Sequence, residues 1–419
     1  MALISPNSAF SRVTALAAQR PVHAAFAWLH GNPKTIMDWQ TGLVVIPGPP
    51  FGEQARSEWM ATRFTEAGLS QVSTDAIGNV FGWLPAAKLP PESSGPVVVL
   101  SAHLDTVFPA ETPLNPVVED ERLEAPGACD NGAGVVGMLA IAHALVQSKI
   151  ELPAPLLFLG NVGEEGEGDL RGVRHVYKQT ALAGRIAAHI VLDGAGADSV
   201  VSQALGSRRF QVTITGPGGH SFTDAGTPNP IAALASALAV LAQTTLPEEP
   251  RTTLNLGTIQ GGTSVNSIPE SAQASIDFRS TNAEQLIRLE VALHRATEDA
   301  VAHCNALAKA GSARDRGQLA FTIRKIGDRP AAGLPGDSPL LDALRAVDRH
   351  LGLRTDLRLG STDANIPLSL GVPALSMGAG GDGGGAHTQA EWYSAKNREA
   401  GLKRVLLLTL AMIEWAAEQ

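Results

Sequence analysis

Three short apolar runs, each followed within a few residues by ionisable side chains, constrain the fold of this chain most strongly. The runs cover residues 97–100, 156–159 and 188–192 and are rich in valine, leucine and isoleucine. Such runs are typical of strands buried on both faces of a parallel sheet. The ionisable residues that follow them are His103 and Asp105, Glu164 and Glu165, and Asp193. Because open α/β sheets bind ligands at the carboxyl ends of their strands, the pattern predicts a functional site there.

The sequence His103-Leu-Asp105 has the chemistry of a metal ligand and its orienting partner. A histidine can bind a metal through one ring nitrogen, while a carboxylate holds the other nitrogen and fixes the tautomer. Alone the motif is weak, since most such pairs are polar loop residues. Asp130, in the loop 124–134, and His387, in a glycine-rich loop, add further potential ligands. Their convergence with the strand ends favours a metal site.

Composition excludes several other classes of protein. The 419 residues carry a formal net charge of −9 with no basic tract, so nucleic acid and anionic membranes are not expected partners. The two cysteines, Cys129 and Cys304, form no disulfide framework, which fits a reducing compartment. Residues 135–146 form the longest apolar segment and are too short to span a bilayer. The N-terminus lacks a signal-peptide pattern, so we expect a soluble cytoplasmic protein.

The order of predicted elements indicates a discontinuous α/β domain with a second domain inserted into it. Before the insertion we predict helices over residues 9–30, 53–68 and 133–147. Within it, strands and helices alternate as β-α-β-β-α-β, the order of a ferredoxin-like unit. The boundaries are 1–205 and 329–419 for the α/β domain and 206–328 for the insertion. The inserted elements are predicted at 209–215, 228–243, 252–260, 273–279, 283–307 and 319–326.

Residues 132–137, Gly-Ala-Gly-Val-Val-Gly, match the G-x-G-x-x-G pattern of dinucleotide-binding proteins. That interpretation requires a strand directly before the motif. The residues before it, Ala-Pro-Gly-Ala-Cys-Asp, predict a loop instead. Close helix packing and a flexible turn are therefore the preferred explanation of these glycines.

The ordered set of motifs resembles the M20 family of metallopeptidases over essentially the whole chain. The family includes tripeptidase T, glutamate-releasing carboxypeptidases, aminoacylases and acetylornithine or succinyl-diaminopimelate deacylases. The resemblance implies a zinc-peptidase-like, or phosphorylase/hydrolase-like, α/β catalytic domain with an inserted ferredoxin-like α+β domain serving as lid and dimerisation domain. It also implies two divalent metal ions, Zn²⁺ first, with Co²⁺ or Mn²⁺ as alternatives, and a homodimer formed through the lid.

Carried over residue by residue, the family pattern assigns two metal sites that share one carboxylate. His103, Asp130 and Asp193 would hold one ion, and Asp130, Glu165 and His387 would hold the other. Each ion then has one imidazole and carboxylate oxygens, with a position left open for water, as a catalytic zinc site requires. Cys129 is interpreted as a small buried residue, since the family site contains oxygen and nitrogen ligands.

Two further carboxylates have implied roles beside the metals. By resemblance Glu164 is the general base, which would take a proton from a metal-bridging water and return it to the leaving amine. Asp105 would orient His103 without binding a metal. Asp363, in Gly360-Ser-Thr-Asp363, is expected in a loop facing the site, with no assigned role.

Three residues of the insertion match substrate contacts of the family. His220 resembles the histidine that helps to stabilise the oxyanion, in many members at the neighbouring subunit's site. Asn266 and Arg279 resemble a pair that grips a substrate carboxylate, for which the planar guanidinium of arginine is suited. The alternatives are two turn residues and an arginine in a surface ion pair.

The favoured hypothesis is metal-dependent hydrolysis of an amide bond in a small peptide. Asp193 and the Glu164–Glu165 region favour the peptidase branch, and only the family resemblance implies an exopeptidase. The alternative among enzymes is an N-acyl or N-carbamoyl amino acid amidohydrolase, because the same metal pair attacks any unhindered amide carbonyl. The alternative from another class is a catalytically inactive binding protein. Such a protein would have lost Glu164 or one of the predicted metal ligands, and this sequence retains all of them.

Overall fold

The structure is a computed structural model that describes residues 6–86, 95–308 and 317–419. The chain divides into two compact units, Met1–Ala204 with Gly333–Gln419 and Leu205–Ala332. None of the described helices is long and apolar enough to cross a membrane.

In the described residues the helices, in chain order, are α1 (Pro6–Ala17), α2 (Arg20–Gly31), α3 (Pro33–Val44), α4 (Gln54–Ala67), α5 (Gly132–Ser148), α6 (Arg171–Gln179), α7 (Pro230–Ala242), α8 (Ala283–Leu307), α9 (Pro339–Leu351), α10 (Asn365–Ser369) and α11 (Arg398–Ala416). The strands are β1 (Ser70–Thr74), β2 (Val80–Leu84), β3 (Val97–His103), β4 (Val117–Glu119), β5 (Arg122–Glu124), β6 (Leu156–Asn161), β7 (Ile186–Leu192), β8 (Ser199–Ala204), β9 (Gly206–Thr215), β10 (Gly219–His220), β11 (Thr252–Gly261), β12 (Ser267–Ile268), β13 (Ser271–Ser280), β14 (Ala320–Arg329), β15 (Ala332–Gly333), β16 (Asp356–Gly360), β17 (Ala374–Met377), β18 (Asp382–Gly384) and β19 (Trp392–Ser394).

The first unit contains a mixed sheet whose centre is parallel. Its strands lie in the order β1-β2-β6-β3-β7-β17-β8, with β16 beside β8. The central strands β6, β3, β7 and β17 run parallel to their neighbours in that group. Their carboxyl ends therefore meet at one edge of the sheet, where an α/β fold places its ligands.

Both faces of this sheet are covered, as the apolar runs predict. Along β3, Val98 and Leu100 pack in the larger core with helices such as α2, α5 and α11. Val97 and Val99 face the opposite side, in a smaller core that includes Val173 of α6. Alternation along a strand buried on both sides explains why the run is continuously apolar.

A small antiparallel sheet in the first unit carries the last predicted ligand. Its strands lie in the order β18-β19-β5-β4. The loop between β18 and β19 contains His387, which has a positive φ of 65°. Pairing of β19 with β5 brings this loop to the segment that leads into α5.

The second unit is a four-stranded antiparallel sheet with two helices on one face. Its order is β11-β13-β9-β14, and its elements follow the chain as β9-α7-β11-β13-α8-β14. Phe210 and Phe278 of the sheet share a core with Leu234 of α7 and Leu289 of α8. β11 and β14 form the two edges of this sheet.

The N-terminal region differs from the single helix predicted over residues 9–30. The chain forms α1 and α2 there, because Pro21 in the first turn of α2 starts a new helix. A third helix, α3, begins at Pro33 and was not predicted. The prediction also lacked α6, where ionisable and polar side chains obscure the apolar face.

The glycines of the G-x-G-x-x-G match have packing reasons. They open α5, which follows a loop and no strand. A Cβ on Gly134 would lie 2.1 Å from Oδ1 of Asn131 and 2.7 Å from the carbonyl oxygen of Leu192. A Cβ on Gly137 would lie 2.6 Å from the Cβ of Ala379.

Candidate metal centre

The predicted ligands of the first unit converge at the carboxyl edge of its parallel strands. His103 is the last residue of β3, and Asp193 directly follows β7. Asp130 lies two residues before α5, after a loop whose Asp130–Asn131 peptide bond is cis. Glu165 lies in the loop after β6, and His387 comes from the β18–β19 loop.

The carboxylate of Asp130 lies between the two imidazoles. Its Oδ1 is 3.2 Å from Nε2 of His103, and its Oδ2 is 3.2 Å from Nε2 of His387. On one side, Oδ1 of Asp193 is 3.7 Å from Nε2 of His103. On the other, Oε1 of Glu165 is 3.1 Å from Nε2 of His387. Two groups of three ligands thus share Asp130.

These groups suit divalent metal ions in spacing and in chemistry. In each group the potential ligand atoms lie within 4.8 Å of one another. Ligands at about 2.0–2.1 Å from a tetrahedral zinc ion are about 3.3 Å apart, close to the separations found here. Oδ1 of Asp130 is buried and has no hydrogen-bond partner among the described residues. A buried carboxylate oxygen of this kind needs a cation or a donor.

Glu164 also lies close to this cluster. Its side chain is 5% exposed, and with His103 and Glu165 it forms a third group of potential ligand atoms within 4.8 Å. The carboxylate of Glu164 therefore lies beside the potential metal ligands, on the same turn as Glu165.

The electrostatics of the cluster come from burial and from close opposite charges. Burial lowers the pKa of His103, but the carboxylates around it raise that pKa well above its usual value. Contact with Asp130 raises the pKa of His387 to about 9, against burial. Burial and nearby carboxylates raise the pKa of Glu165 to about 7, although both imidazoles lower it. Protons therefore compete with any metal ion for these ligand atoms.

Asp105 lies between the ring of His103 and the turn that carries Glu164 and Glu165. Its carboxylate accepts hydrogen bonds from the backbone N–H of Glu164 at 3.0 Å and of Glu165 at 2.8 Å. Nδ1 of His103 instead donates to the backbone carbonyl of Asp105 at 3.1 Å, with the carboxylate oxygen at 3.7 Å. The backbone thus fixes the tautomer and leaves Nε2 facing Asp130, while the side chain holds the Glu164–Glu165 turn.

Glu391 supports the candidate site and was not among the residues predicted from the sequence. Its buried carboxylate accepts hydrogen bonds from the backbone N–H groups of Gly127 at 3.0 Å, Cys129 at 2.7 Å and Asp130 at 2.6 Å. The only signal in the sequence is its position four residues after His387, beside an aromatic residue. The side chain holds the loop that presents Asp130.

Asn131 and Arg56 are two further missed residues. Oδ1 of Asn131 accepts hydrogen bonds from the N–H of Gly134 at 3.1 Å and of Gly194 at 3.0 Å, which ties the Asp130 loop to the end of β7. Arg56, on α4, is 2% exposed. Burial lowers its pKa to about 10 against the charges of two carboxylates, so its guanidinium is charged at neutral pH.

Asp363 and Cys129 lie beside the centre without joining the ligand groups. Asp363 is fully buried and accepts a hydrogen bond from Nδ2 of Asn161 at 2.6 Å; burial raises the pKa of its carboxyl to about 7. Asn161 pairs with His103 between β6 and β3. Burial also raises the pKa of the Cys129 thiol to about 12, so this residue is a neutral packing group.

The three predicted substrate contacts of the second unit do not all come together. His220 and Asn266 are close, since β10 pairs with β12 and the N–H of Ser221 donates to the carbonyl of Asn266 at 3.0 Å. Arg279 lies near the far end of β13, where its Nε pairs with Asp277 at 2.8 Å. Eight residues of strand separate it from the start of β13, about 27 Å. A single chain therefore cannot bring Asn266 and Arg279 to one carboxylate, contrary to expectation.

A parallel sheet with imidazole and carboxylate ligands converging at its carboxyl edge is the arrangement expected of metal-dependent hydrolases. The sequence matches the family model of peptidase family M20/M25/M40 over residues 99–411. The chain belongs to this family.

Curated relatives include enzymes with different printed activities. The chain is 27% identical to a succinyl-diaminopimelate desuccinylase from Psychrobacter arcticus, over 45% of this chain and 50% of the relative. It is 26% identical to a probable carboxypeptidase from Aspergillus oryzae, over 50% of this chain and 51% of the relative. The chain thus spans about half the length of these relatives.

Solved structures share the fold over nearly the whole chain. Aminopeptidase PepT from Bacillus cereus has a TM-score of 0.70 at 19% identity, covering 91% of this chain and 98% of that one. A Bacillus subtilis protein described as a dinuclear metal-binding peptidase of the M20 family has a TM-score of 0.60 at 17% identity, covering 92% and 99%. At these identities the likeness establishes the fold.

Replacing the shared carboxylate should affect both groups of ligands. Asp130→Ala should lose two bound Zn²⁺ ions, whereas Asp193→Ala should lose one, because Asp193 belongs to one group only. Elemental analysis of purified, zinc-loaded variants measures the stoichiometry. Two equivalents retained by Asp130→Ala would contradict the shared position of this residue.

The affinity for Zn²⁺ should increase with pH up to about 9. Three ligands with raised pKa values hold protons that an ion must displace: Glu165 below about 7, His387 below about 9, and His103, whose pKa lies well above its usual value. Each such proton costs about tenfold in affinity per pH unit below its pKa. Competition with a chelator at several pH values measures this slope, and an affinity that is constant between pH 7 and 9 would refute it.

Proposed function

We propose that the protein hydrolyses an amide bond in a small peptide, using two divalent metal ions held by the two ligand groups. The observation that carries the proposal is the carboxylate of Asp130 between His103 and His387, with Glu164 on the adjacent turn. Bound there, the ions would polarise the substrate carbonyl and lower the pKa of water. Zn²⁺ is the proposed ion, with Co²⁺ or Mn²⁺ as alternatives, because the ligands are imidazoles and carboxylates.

Glu164 is the proposed general base. The backbone N–H of Glu164 donates a hydrogen bond to the carboxylate of Asp105, which fixes the turn. The side chain of Glu164 faces the cluster of ligands. The carboxylate would accept a proton from the attacking water and donate it to the leaving amine, which avoids release of an unprotonated amine anion. Glu165, next to it, pairs with His387 and would be occupied as a ligand.

The hydrogen bonds of His220 support a role as a donor to the developing oxyanion. Its Nδ1 accepts from the backbone N–H of Phe222 at 3.2 Å and of Thr223 at 3.3 Å. In the neutral ring the proton is then on Nε2, which can donate to a substrate oxygen. Asp224 accepts the backbone N–H of His220 at 2.6 Å and steadies the turn.

Arg279 is proposed to bind a substrate carboxylate. Its Nε pairs with Asp277, while its terminal nitrogens have no hydrogen bond among the described residues. A guanidinium held at one end can present its remaining donors to a carboxylate in a fixed plane. Asn266 would contribute from a second subunit, since the two residues are far apart within one chain.

A homodimer formed through the second unit would bring Asn266 of one subunit and Arg279 of the other to one substrate carboxylate. β11 is an edge strand along which Leu256 and Ile259 are 37% and 59% exposed, and Val240 on the neighbouring α7 is 59% exposed. An exposed apolar edge strand is a template for pairing with another chain. We propose that β11 and α7 form the interface.

A second candidate function is the removal of an N-acyl group from an amino acid. The match to succinyl-diaminopimelate desuccinylases favours it, and the proposed chemistry is the same because both reactions attack an amide carbonyl. Peptidase and deacylase differ in what the second unit must recognise.

Turnover assays separate the two candidate functions. Zinc-loaded protein should hydrolyse members of a panel of di- and tripeptides, and activity confined to N-acetyl, N-succinyl or N-carbamoyl amino acids would select the deacylase.

Glu164→Ala should retain two metal equivalents yet lose about 10²- to 10⁴-fold in kcat, because proton transfer is lost. Glu167→Ala, on an exposed residue of the same loop, is the matched control and should remain active. Normal turnover of Glu164→Ala would exclude it as the base.

The proposed interface predicts a change of oligomeric state. Ile259→Lys should convert a dimer into a monomer, because it places a charge on the paired edge strand. Ile326→Lys, on the opposite edge strand β14, should leave the dimer intact; Ile326 is 39% exposed. Sedimentation velocity measures the mass, and a wild-type monomer or a dimeric Ile259→Lys would rule out this interface.

A further inference from the structure

The peptide group that joins Ala128 to Cys129 is held at both of its polar atoms by buried side chains. Its N–H donates to Oε1 of Glu391 at 2.7 Å, and its carbonyl accepts a hydrogen bond from Nε2 of Gln40 at 2.6 Å. Both side chains are 0% exposed. Asp130 directly follows Cys129 in the chain. The peptide plane just before the shared ligand is therefore fixed from two sides.

The amide of Gln40, on α3, can satisfy its surroundings in one orientation only. Its Oε1 accepts a hydrogen bond from Nη2 of Arg398 at 3.1 Å, while its Nε2 donates to the carbonyl of Ala128. A guanidinium can only donate hydrogen bonds, and a backbone carbonyl can only accept them. An amide turned by half a rotation would set donor against donor at Arg398 and acceptor against acceptor at Ala128. Arg398 thus fixes which end of Gln40 faces the Asp130 loop.

Arg398, the first residue of α11, is itself fixed by the small sheet beside Glu391. It is 5% exposed, and its Nε donates to the hydroxyl of Tyr393 at 2.9 Å. Tyr393 lies on β19, two residues after Glu391. The hydrogen bonds therefore form a closed ring, which runs from β19 through Arg398 and Gln40 to the peptide before Asp130 and returns to the start of β19 through Glu391.

We propose that Gln40 is a positioning residue of the metal centre: its amide orients the peptide before Asp130, so that the Asp130 carboxylate faces both His103 and His387. The inference rests on the proposed function, since it concerns the residue that the two ligand groups share. Gln40 is not a metal ligand and acts through the backbone. Rotation of the Ala128–Cys129 peptide would displace the Asp130 carboxylate, whose oxygens are each 3.2 Å from one imidazole.

A purely structural role for Gln40 predicts a different result. Gln40 would then only provide a buried acceptor for Arg398, whose partners among the described residues are all neutral. Replacing it would lower stability without changing metal affinity. Gln40→Glu separates the two roles, because a carboxylate still accepts from Arg398 and adds a counter-charge, but it has no N–H for the carbonyl of Ala128.

The same variant separates positioning from simple electrostatics. A negative charge added near the centre would by itself tighten the binding of a cation. With the bond to Ala128 lost, two oxygen acceptors would face each other, the peptide could rotate, and binding should weaken instead. Loss of groups that orient metal ligands typically costs about 10- to 100-fold in affinity.

Arg404→Met is the matched control for the loss of buried hydrogen bonds. Arg404 is 0% exposed in the same unit and pairs with both carboxylate oxygens of Asp348, at 2.6 and 3.1 Å. It also donates to the carbonyl of Ala197 at 3.1 Å. Neither of these partners belongs to a ligand group or to the Asp130 loop.

The test compares wild type, Gln40→Met, Gln40→Glu and Arg404→Met, independently of turnover. Competition with a chromophoric chelator gives the affinity and stoichiometry for Zn²⁺, and the visible spectrum of the Co²⁺ protein reports the ligand geometry. Hydrogen exchange of the metal-free protein measures the protection of the Cys129 and Asp130 N–H groups.

Both Gln40 variants should bind at least one ion about 10- to 100-fold more weakly, with an altered Co²⁺ spectrum and faster exchange in the Asp130 loop. Gln40→Glu should keep a Tm close to that of wild type. Arg404→Met should lower Tm and leave the other readouts unchanged.

Wild-type or tighter metal affinity in either folded Gln40 variant would overturn the inference. If Gln40→Met does not fold, Gln40→Glu decides, because it keeps the contact with Arg398. A wild-type protein that binds no ions would instead refute the proposed function. Hydrogen exchange then decides the inference separately, and unchanged protection of the Asp130 loop in the Gln40 variants would overturn it.

Discussion

The position of one carboxylate, Asp130, between two imidazoles is the interaction on which the rest of the site depends. Each of its oxygens faces a different histidine, and each histidine has its own further carboxylate, Asp193 or Glu165. An acidic side chain so enclosed is unfavourable unless positive charge is supplied to it. Two residues support the loop that carries Asp130. Asn131 ties this loop to the end of β7, and Glu391 ties it to the segment of β19.

The parts of the fold that could be predicted are those whose burial requires a regular pattern of apolar residues in the sequence. β3, β6 and β7 are buried on both faces, so each is a continuous apolar run, and α8 has the bounds that its apolar periodicity predicts, Ala283–Leu307. The N-terminal helices were harder to predict, because α1, α2 and α3 follow one another closely, with Pro21 and Pro33 in the first turns of α2 and α3. Short strands such as β5 depend on partners distant in sequence, here β19, and no local pattern reveals them.

The candidate site also has a part that could be predicted from the sequence and a part that could not. The side chains that face the cluster are ionisable residues next to apolar runs, and the resemblance to the M20 family puts them in order. Two of their supports, Glu391 and Arg56, could not be predicted, since they bond to backbone groups brought near by the tertiary fold. Asp105 was expected as a support of His103, but its bonds to the Glu164–Glu165 turn were not. Nδ1 of His103 lies 3.7 Å from the Asp105 carboxylate expected to orient it and closer, at 3.1 Å, to the backbone carbonyl of the same residue.

The hairpin that contributes His387 and Glu391 comes from the last part of the chain, residue 387 of 419 onwards. One of these residues completes a ligand group and the other holds the loop of Asp130, 261 residues earlier. The group of potential ligands formed by Asp130, Glu165 and His387 therefore comes together only when this hairpin has packed against the loop before α5. A change in the hairpin would disturb both a potential ligand and the support of Asp130.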